Sequence, residues 1–350
     1  MSSNAKALSV AIALLGPLAA LGPMGCASRA RQLAPSPVFA QRPISFVDDG
    51  RWVGNGIAYG PHRDGQRPGG PGPSIEEVRE DVRLLASRWR IWRVYGADRT
   101  SETVLDVVKA DAPEVKLILG IWIAPETSTT ARAENRAQVD TAIRLAREHR
   151  PNILAINVGN ETQVSWSGHR VDPSVLIGYL REVRAATDLP VTTADDFSWW
   201  VSPESDAIAQ EVDFILVHAY AMWNGKLLDE AIAFTEAKYD EVAARFPGRT
   251  IVLGELGWAT RRHDQGEQAK LVKGAAGEAE QRRFYEAFVA WVTQRRIPNL
   301  YFEAFDENWK GGPHPDEIEK HWGLYRADRT PKRAIAAEAT SWPDAGGARP

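Results

Sequence analysis

Cysteine is nearly missing from this sequence. A single Cys26 in 350 residues excludes an intramolecular disulfide and any cysteine-rich zinc or iron–sulfur site. Charge of one sign is not in excess either: 42 Lys and Arg against 46 Asp and Glu leave a formal net charge of −4. That balance argues against a nucleic-acid binder, which would normally show a basic face or stripe. Phosphate-cradling glycine loops are absent, since neither G-x-G-x-x-G nor G-x-x-x-x-G-K-[ST] occurs, which weighs against an open nucleotide-binding sheet. The seven histidines show no H-x-H or H-E-x-x-H spacing, so no metal and no cofactor is expected. No short-period repeat and no second domain is visible. What remains is an ordinary globular composition, 44% hydrophobic and 25% charged, long enough for one sizeable core, and a high count of thirteen tryptophans.

Residues 1–26 read as an export signal. Lys6 gives a thin positive start, and Ala7 to Leu21 form an apolar stretch interrupted by Gly16-Pro17. The stretch is too short and too broken for a membrane span of ~20 residues. Pro23-Met24-Gly25-Cys26 resembles a bacterial lipoprotein cleavage site, which implies a lipid on Cys26; ordinary signal cleavage nearby is the alternative. The protein is therefore expected to be periplasmic, an outer-membrane lipoprotein or secreted, meeting a membrane only through that lipid. Residues 27–53, with Arg, Pro, Ala and Ser prominent, read as a linker, and 341–350 as a C-terminal tail.

From residue 54 to 340, short apolar runs alternate with amphipathic stretches. The expected strands are Gly56–Tyr59, Ile91–Tyr95, Lys116–Ile121, Leu154–Val158, Val191–Ala194, Asp213–Val217, Thr250–Leu253 and Leu300–Phe305. Most are continuous rather than alternating, as parallel strands buried on both faces are. Helical signals lie between them. Ser74-Ile75-Glu76-Glu77 is a capping-box pattern, Asp172-Pro173 pairs an N-cap with proline at the first helical position, and Phe284, Phe288, Trp291 and Val292 mark an amphipathic face. Eight such units predict a single (β/α)8 TIM barrel.

In that fold chemistry sits where strands end. Glu161 and Glu255 directly follow the fourth and seventh strands, which face each other across the barrel mouth. Two carboxylates flanking one bond are what glycoside hydrolysis uses, one protonated and one ionised. Tryptophans 122, 166, 199, 200, 223, 258 and 309 also fall at or beyond strand ends. Their faces suit the C–H faces of sugars, although burial with the indole N–H satisfied is the plainer alternative, and about half are expected to line the cleft.

Val158-Gly159-Asn160-Glu161 and Gly254-Glu255-Leu256-Gly257-Trp258 resemble the two active-site motifs of glycoside hydrolase family seventeen. Gly56–Gly60, Arg93–Gly96, Phe305–Lys310 and His321–Tyr325 with Asp328 and Pro331 are similar to further segments of that family, in its order, over roughly residues 54–335. The resemblance implies a retaining β-1,3-glucanase with Glu161 as acid/base and Glu255 as nucleophile. It implies that Asn160 binds the sugar 2-hydroxyl and that Tyr220 orients Glu255. Arg93 on strand two can reach the same carboxylate and lower its pKa, a barrel-filling salt bridge being the alternative. Glu307 and Lys310 resemble a family pair near the nucleophile, with a surface ion pair as the alternative. Tyr59 and Trp258 are expected to support or contact substrate. His218 is either a satisfied core histidine or a substrate contact, Asp195 and Asp196 are candidates for hydroxyl binding, and the loop 261–277 is a mobile rim or a tolerated insertion.

Ala259-Thr260 stand where plant members carry Pro-Ser, which leaves endo or exo action open, and some bacterial relatives transfer glucan chains rather than hydrolyse them. The expected partner is a β-glucan polysaccharide or oligosaccharide met by a monomer. Two other readings stay open: a retaining barrel for β-1,4-glucan, mannan or galactan, and a non-catalytic glucan-binding barrel.

Overall fold

Each continuous apolar run lies in the wall of one closed barrel. The computed structural model describes residues 39–336. Cys26 with the rest of the expected signal, and the expected tail 341–350, lie outside the described residues. A two-stranded hairpin, β1 (Val47–Asp48) and β2 (Arg51–Trp52), comes first. The barrel strands follow: β3 (Asn55–Ala58), β4 (Ile91–Val94), β5 (Lys116–Ile121), β6 (Ile153–Asn160), β7 (Val191–Asp196), β8 (Ile215–His218), β9 (Ile251–Glu255) and β10 (Asn299–Tyr301). They close in sequence order, β10 returning to β3, and every pair is parallel. This is the (β/α)8 barrel that the alternation of strand and helix signals demands.

The crossover helices are α1 (Ile75–Ala86), α2 (Arg99–Asp111), α3 (Thr129–Glu148), α4 (Pro173–Ala186), the short α5 (Phe197–Trp200) and α6 (Asp206–Ala209), α7 (Leu228–Arg245), α8 (Gly266–Leu271) and α9 (Glu278–Arg295). The Ser74–Glu77 capping box closes on α1, and Asp172 caps α4 ahead of Pro173. Among the described residues, no helix is long and apolar enough to cross a membrane.

Two expectations need correction. The linker over 27–53 does not extend through 39–53, which packs against the barrel's N-terminal end. Arg42 is bonded to Asp213 Oδ1 (2.6 Å, through its backbone N–H) and to the carbonyls of Leu189 and Arg184 (both 2.8 Å). Phe46 is buried among Ile91, Ile118, Ala155, Phe214, Leu216, Val252 and Leu300, so one aromatic ring closes the bottom of the barrel's inner core. The last strand is also shorter than Leu300–Phe305. Beyond Tyr301 the chain keeps only irregular bonds to its neighbours, Phe302 N to Leu256 O (2.8 Å) and Ala304 N to Ala58 O (2.9 Å).

Candidate active site

Strand periodicity sets up the site. Side chains two apart share a face, and Ile91 and Leu216 belong to the inner core. Arg93 and His218, two residues further along β4 and β8, therefore enter the barrel one layer nearer the mouth. Both are fully buried. Gly254 leaves that layer without a side chain: a Cβ there would lie 2.7 Å from Leu216 Cγ.

Arg93 Nη1 shares its two N–H groups among Glu255 Oε1 (2.9 Å), the Gly254 carbonyl (3.0 Å) and His218 Nε2 (3.1 Å), and Nη2 donates to Asn160 Oδ1. Tyr220 donates its hydroxyl to Glu255 Oε2 at 2.7 Å. His218 Nδ1 lies 2.8 Å from Glu161 Oε1. Ligand atoms of Glu161, His218 and Glu255 all fall within 4.8 Å of one another, so the two carboxyl groups share one small volume. Their spacing is close to the ~5–5.5 Å of retaining glycosidases and well short of the ~6.5–9.5 Å of inverting ones.

The backbone delivering Glu161 is strained. Gly159 has φ +79° and Glu161 φ +50°, the left-handed region that a non-glycine residue occupies at a cost of ~1–2 kcal/mol. The chain is held there by Glu161 N to Ala194 O (2.8 Å) and by Asn157 Nδ2 to Gly159 O (3.0 Å). The unusual angles flank Asn160 rather than falling on it.

Environment separates the two glutamates. Burial, then the charge of Glu255 and of Asp196, pushes the Glu161 carboxyl well up. Burial works against ionisation of Glu255 too, but it is outweighed by the charge of His218 where that ring is protonated, by Arg93 and by the hydroxyls of Tyr220 and Tyr95, which hold that carboxyl below its ordinary value. Burial also pushes His218 down to about 4, so it is neutral near pH 7 and Arg93 is the cation that matters there. The Glu161–His218–Glu255 trio fits a metal poorly. Arg93 already occupies Glu255 Oε1, and an added cation would sit against the guanidinium.

The remaining expected residues divide. Glu307 and Lys310 are not a surface pair: both are largely shielded, and Lys310 Nζ bridges Glu303 Oε2 (2.6 Å) and Glu307 Oε2 (2.8 Å). They stand behind the nucleophile rather than against it. Lys310 lies 4.5 Å from the centre of the Phe302 ring, and that ring packs edge-on against Tyr220 and Tyr95. Tyr59 and Trp258 do not face the cleft. Tyr59 is 1% exposed with its hydroxyl on Asp81 (3.0 Å), and Trp258 is fully buried, donating to the Ala275 carbonyl (3.0 Å) and packed on Phe284. Both side chains turn outward into the layer between barrel and helices. Trp199 and Trp200 are buried as well, leaving four of the seven strand-end tryptophans, 122, 166, 223 and 309, in contact with solvent.

Asp195 and Asp196 serve the backbone. Asp195 accepts from Gln163 N and Asp196 N (both 2.9 Å), and Asp196 caps α5. The segment 261–277 contains α8 and is tied to the loop after β10 through His263–Glu317 (3.1 Å) and Gln268–Glu317 (2.9 Å).

Two buried groups near the site, His218 and Glu303, are only faintly marked in the sequence. His218 was betrayed by its parity with inward-facing Leu216. Glu303 was the one acid inside the apolar run 300–305.

Residues 56–323 match the BtgE/BtgC glycoside hydrolase domain. The chain is similar to a glucan 1,3-beta-glucosidase of Arthroderma benhamiae, 28% identical over 279 residues, covering 76% of this chain and 86% of that protein. It is 26% identical to a glucan endo-1,3-beta-glucosidase of Emericella nidulans over 79% of this chain and 43% of that longer protein. Among solved structures, an endo-laminarinase from Formosa superposes with TM-score 0.70 at 27% identity, covering 81% of this chain and 87% of that one. A glycoside hydrolase family 17 beta-1,3-glucanosyltransferase from Rhizomucor miehei shares the fold with TM-score 0.65 at 24% identity, covering 80% and 96%.

Proposed function

As this chain belongs to the BtgE/BtgC glycoside hydrolase family, we propose that its barrel mouth cleaves β-1,3-linked glucan with retention of configuration. The observation that carries the reading is a pair of carboxyl groups within 4.8 Å whose surroundings favour opposite protonation states. Glu255 attacks the anomeric carbon while the bond to the leaving oxygen breaks. That oxygen takes its proton from Glu161, leaving a glycosyl ester on Glu255. A water, or the hydroxyl of a second glucan chain, then gives its proton to Glu161 and attacks the same carbon, releasing Glu255.

Arg93 and Tyr220 hold the two oxygens of Glu255, fixing the carboxylate before substrate arrives. Because Arg93 occupies Asn160 Oδ1, the Asn160 amide N–H groups are left for the sugar 2-hydroxyl, a contact that strengthens in the transition state. The enzyme acts as an exported monomer, tethered through Cys26.

Glu255→Gln tests the assignment. It removes the nucleophile and keeps the side chain's size. Turnover of laminarin is expected to fall to background while laminari-oligosaccharide binding persists by calorimetry; undiminished release of reducing sugar or shortened chains by that variant would end the proposal.

A further inference from the structure

His218 is buried between the two glutamates and belongs to neither half of the double displacement. Arg93, His218, Glu161 and Glu255 form one connected set, with Asp195 and Asp196 as the other charged or titratable groups acting on the imidazole. The direction of its hydrogen bonds follows from its partners. A guanidinium can only donate, so at the 3.1 Å Arg93 Nη1 contact His218 Nε2 accepts. A neutral imidazole with Nε2 accepting carries its proton on Nδ1. Nδ1–H then donates to Glu161 Oε1 at 2.8 Å. The opposite tautomer would set an N–H against the N–H of Arg93, with only the more distant Glu255 Oε1 at 3.4 Å to receive it, and would leave the Nδ1 lone pair facing Glu161 Oε1 at 2.8 Å.

From this geometry we propose that His218 is a positioning residue which reserves one oxygen of Glu161 for the catalytic proton. Oε1 faces an N–H donor and cannot carry hydrogen towards it. The proton that Glu161 gives to the leaving oxygen, and takes back from the incoming water, therefore rides on Oε2 in both steps. Arg93 thereby orients both glutamates: Glu255 directly, and Glu161 through the tautomer it imposes on His218. The proposal rests on the retaining reading above and assigns His218 a task within it.

The test separates loss of acid assistance from general damage. An aryl laminaribioside with a dinitrophenolate leaving group needs no proton at the departing oxygen, whereas laminari-oligosaccharides do. For His218→Ala, kcat/KM on the oligosaccharide is expected to fall by ~10²-fold or more, the scale of general acid catalysis, with a loss under ~10-fold on the aryl substrate. Two polar variants guard against a folding failure. The amide nitrogen of His218→Asn occupies the Nδ1 position and restores the oligosaccharide rate. His218→Gln mimics Nε2, satisfies Arg93 and does not. Equal losses on both substrates, or rescue by Gln and not Asn, overturn the proposal. Wild-type enzyme that turns over neither substrate would overturn the retaining glucanase reading instead.

Discussion

Both oxygens of Glu255 accept hydrogen bonds, from Arg93 and from Tyr220, while Glu161 receives one from a neutral imidazole on a strained turn. One residue type thus performs opposite tasks because one copy faces a cation and the other faces a carboxylate. The pH dependence follows. kcat/KM falls on the acid side as Glu255 takes up a proton, and on the alkaline side as Glu161 loses its own. Arg93→Lys tests the cause. Lysine keeps the charge but loses the fork that reaches Glu255, Gly254, His218 and Asn160 together, and its ammonium stands further from the carboxylate. Weaker attraction raises the Glu255 pKa, so the acid limb of a kcat/KM profile is expected to move upward by ~1 unit, within the range an adjacent opposite charge commands. The alkaline limb should stay nearer its place because burial, not Arg93, is the main influence on Glu161. An acid limb that does not move would assign the depression of Glu255 to other groups.

At the scale of elements, the closed barrel was legible and the N-terminal segment that plugs its bottom was not. Eight apolar runs announced eight strands because burial on both faces leaves no polar alternation. Their ends slipped by one or two residues where chemistry sits. Asn160, His218 and Glu255 are the last residues of β6, β8 and β9, yet each is polar and so reads as loop. The hairpin β1–β2 left no signal, since its strands are two residues each and the apolar residues around it, Ile44, Phe46, Trp52 and Val53, are interrupted by Asp48-Asp49-Gly50-Arg51 and form no continuous run. Phe46 fills the inner core from below. Phe46→Ala is expected to destabilise the fold by ~3–5 kcal/mol, the usual result of truncating a buried ring. It should leave KM and kcat on laminarin unchanged at temperatures where the variant is folded, because the reacting groups lie at the other end of the strands. A thermal melt beside a kinetic assay checks both; a marked rise in KM without loss of stability would contradict this division.

Considered as a whole molecule, the chain has two unlike ends. Its mouth collects Arg93, Glu161, His218 and Glu255. Its bottom collects the N-terminal segment, with the Phe39 ring 4.9 Å from the Arg184 guanidinium and Arg42 bonded to Asp213 and Leu189. The sequence order of strands was enough to bring the two glutamates together, because a closed parallel barrel collects all strand ends at one rim. It was not enough to say which way a strand-end tryptophan turns: Trp200 and Trp258 rotate outward, where a backbone carbonyl takes each indole N–H. The same two-ended form bears on the expected tether. Cys26 precedes Phe39 by thirteen positions, a reach of at most ~45 Å for extended chain. A lipid on Cys26 would hold the barrel bottom towards the membrane and leave the mouth open to polymer on the far side. Cys26→Ser is therefore expected to move the protein from the membrane to the soluble fraction of cells that export it, with kcat and KM on soluble laminarin unchanged, since residues 39–53 anchor to the barrel independently of any lipid. Continued sedimentation of the Ser variant with membranes would refute the tether, and reduced turnover on a soluble substrate would show that the segment does more than hold.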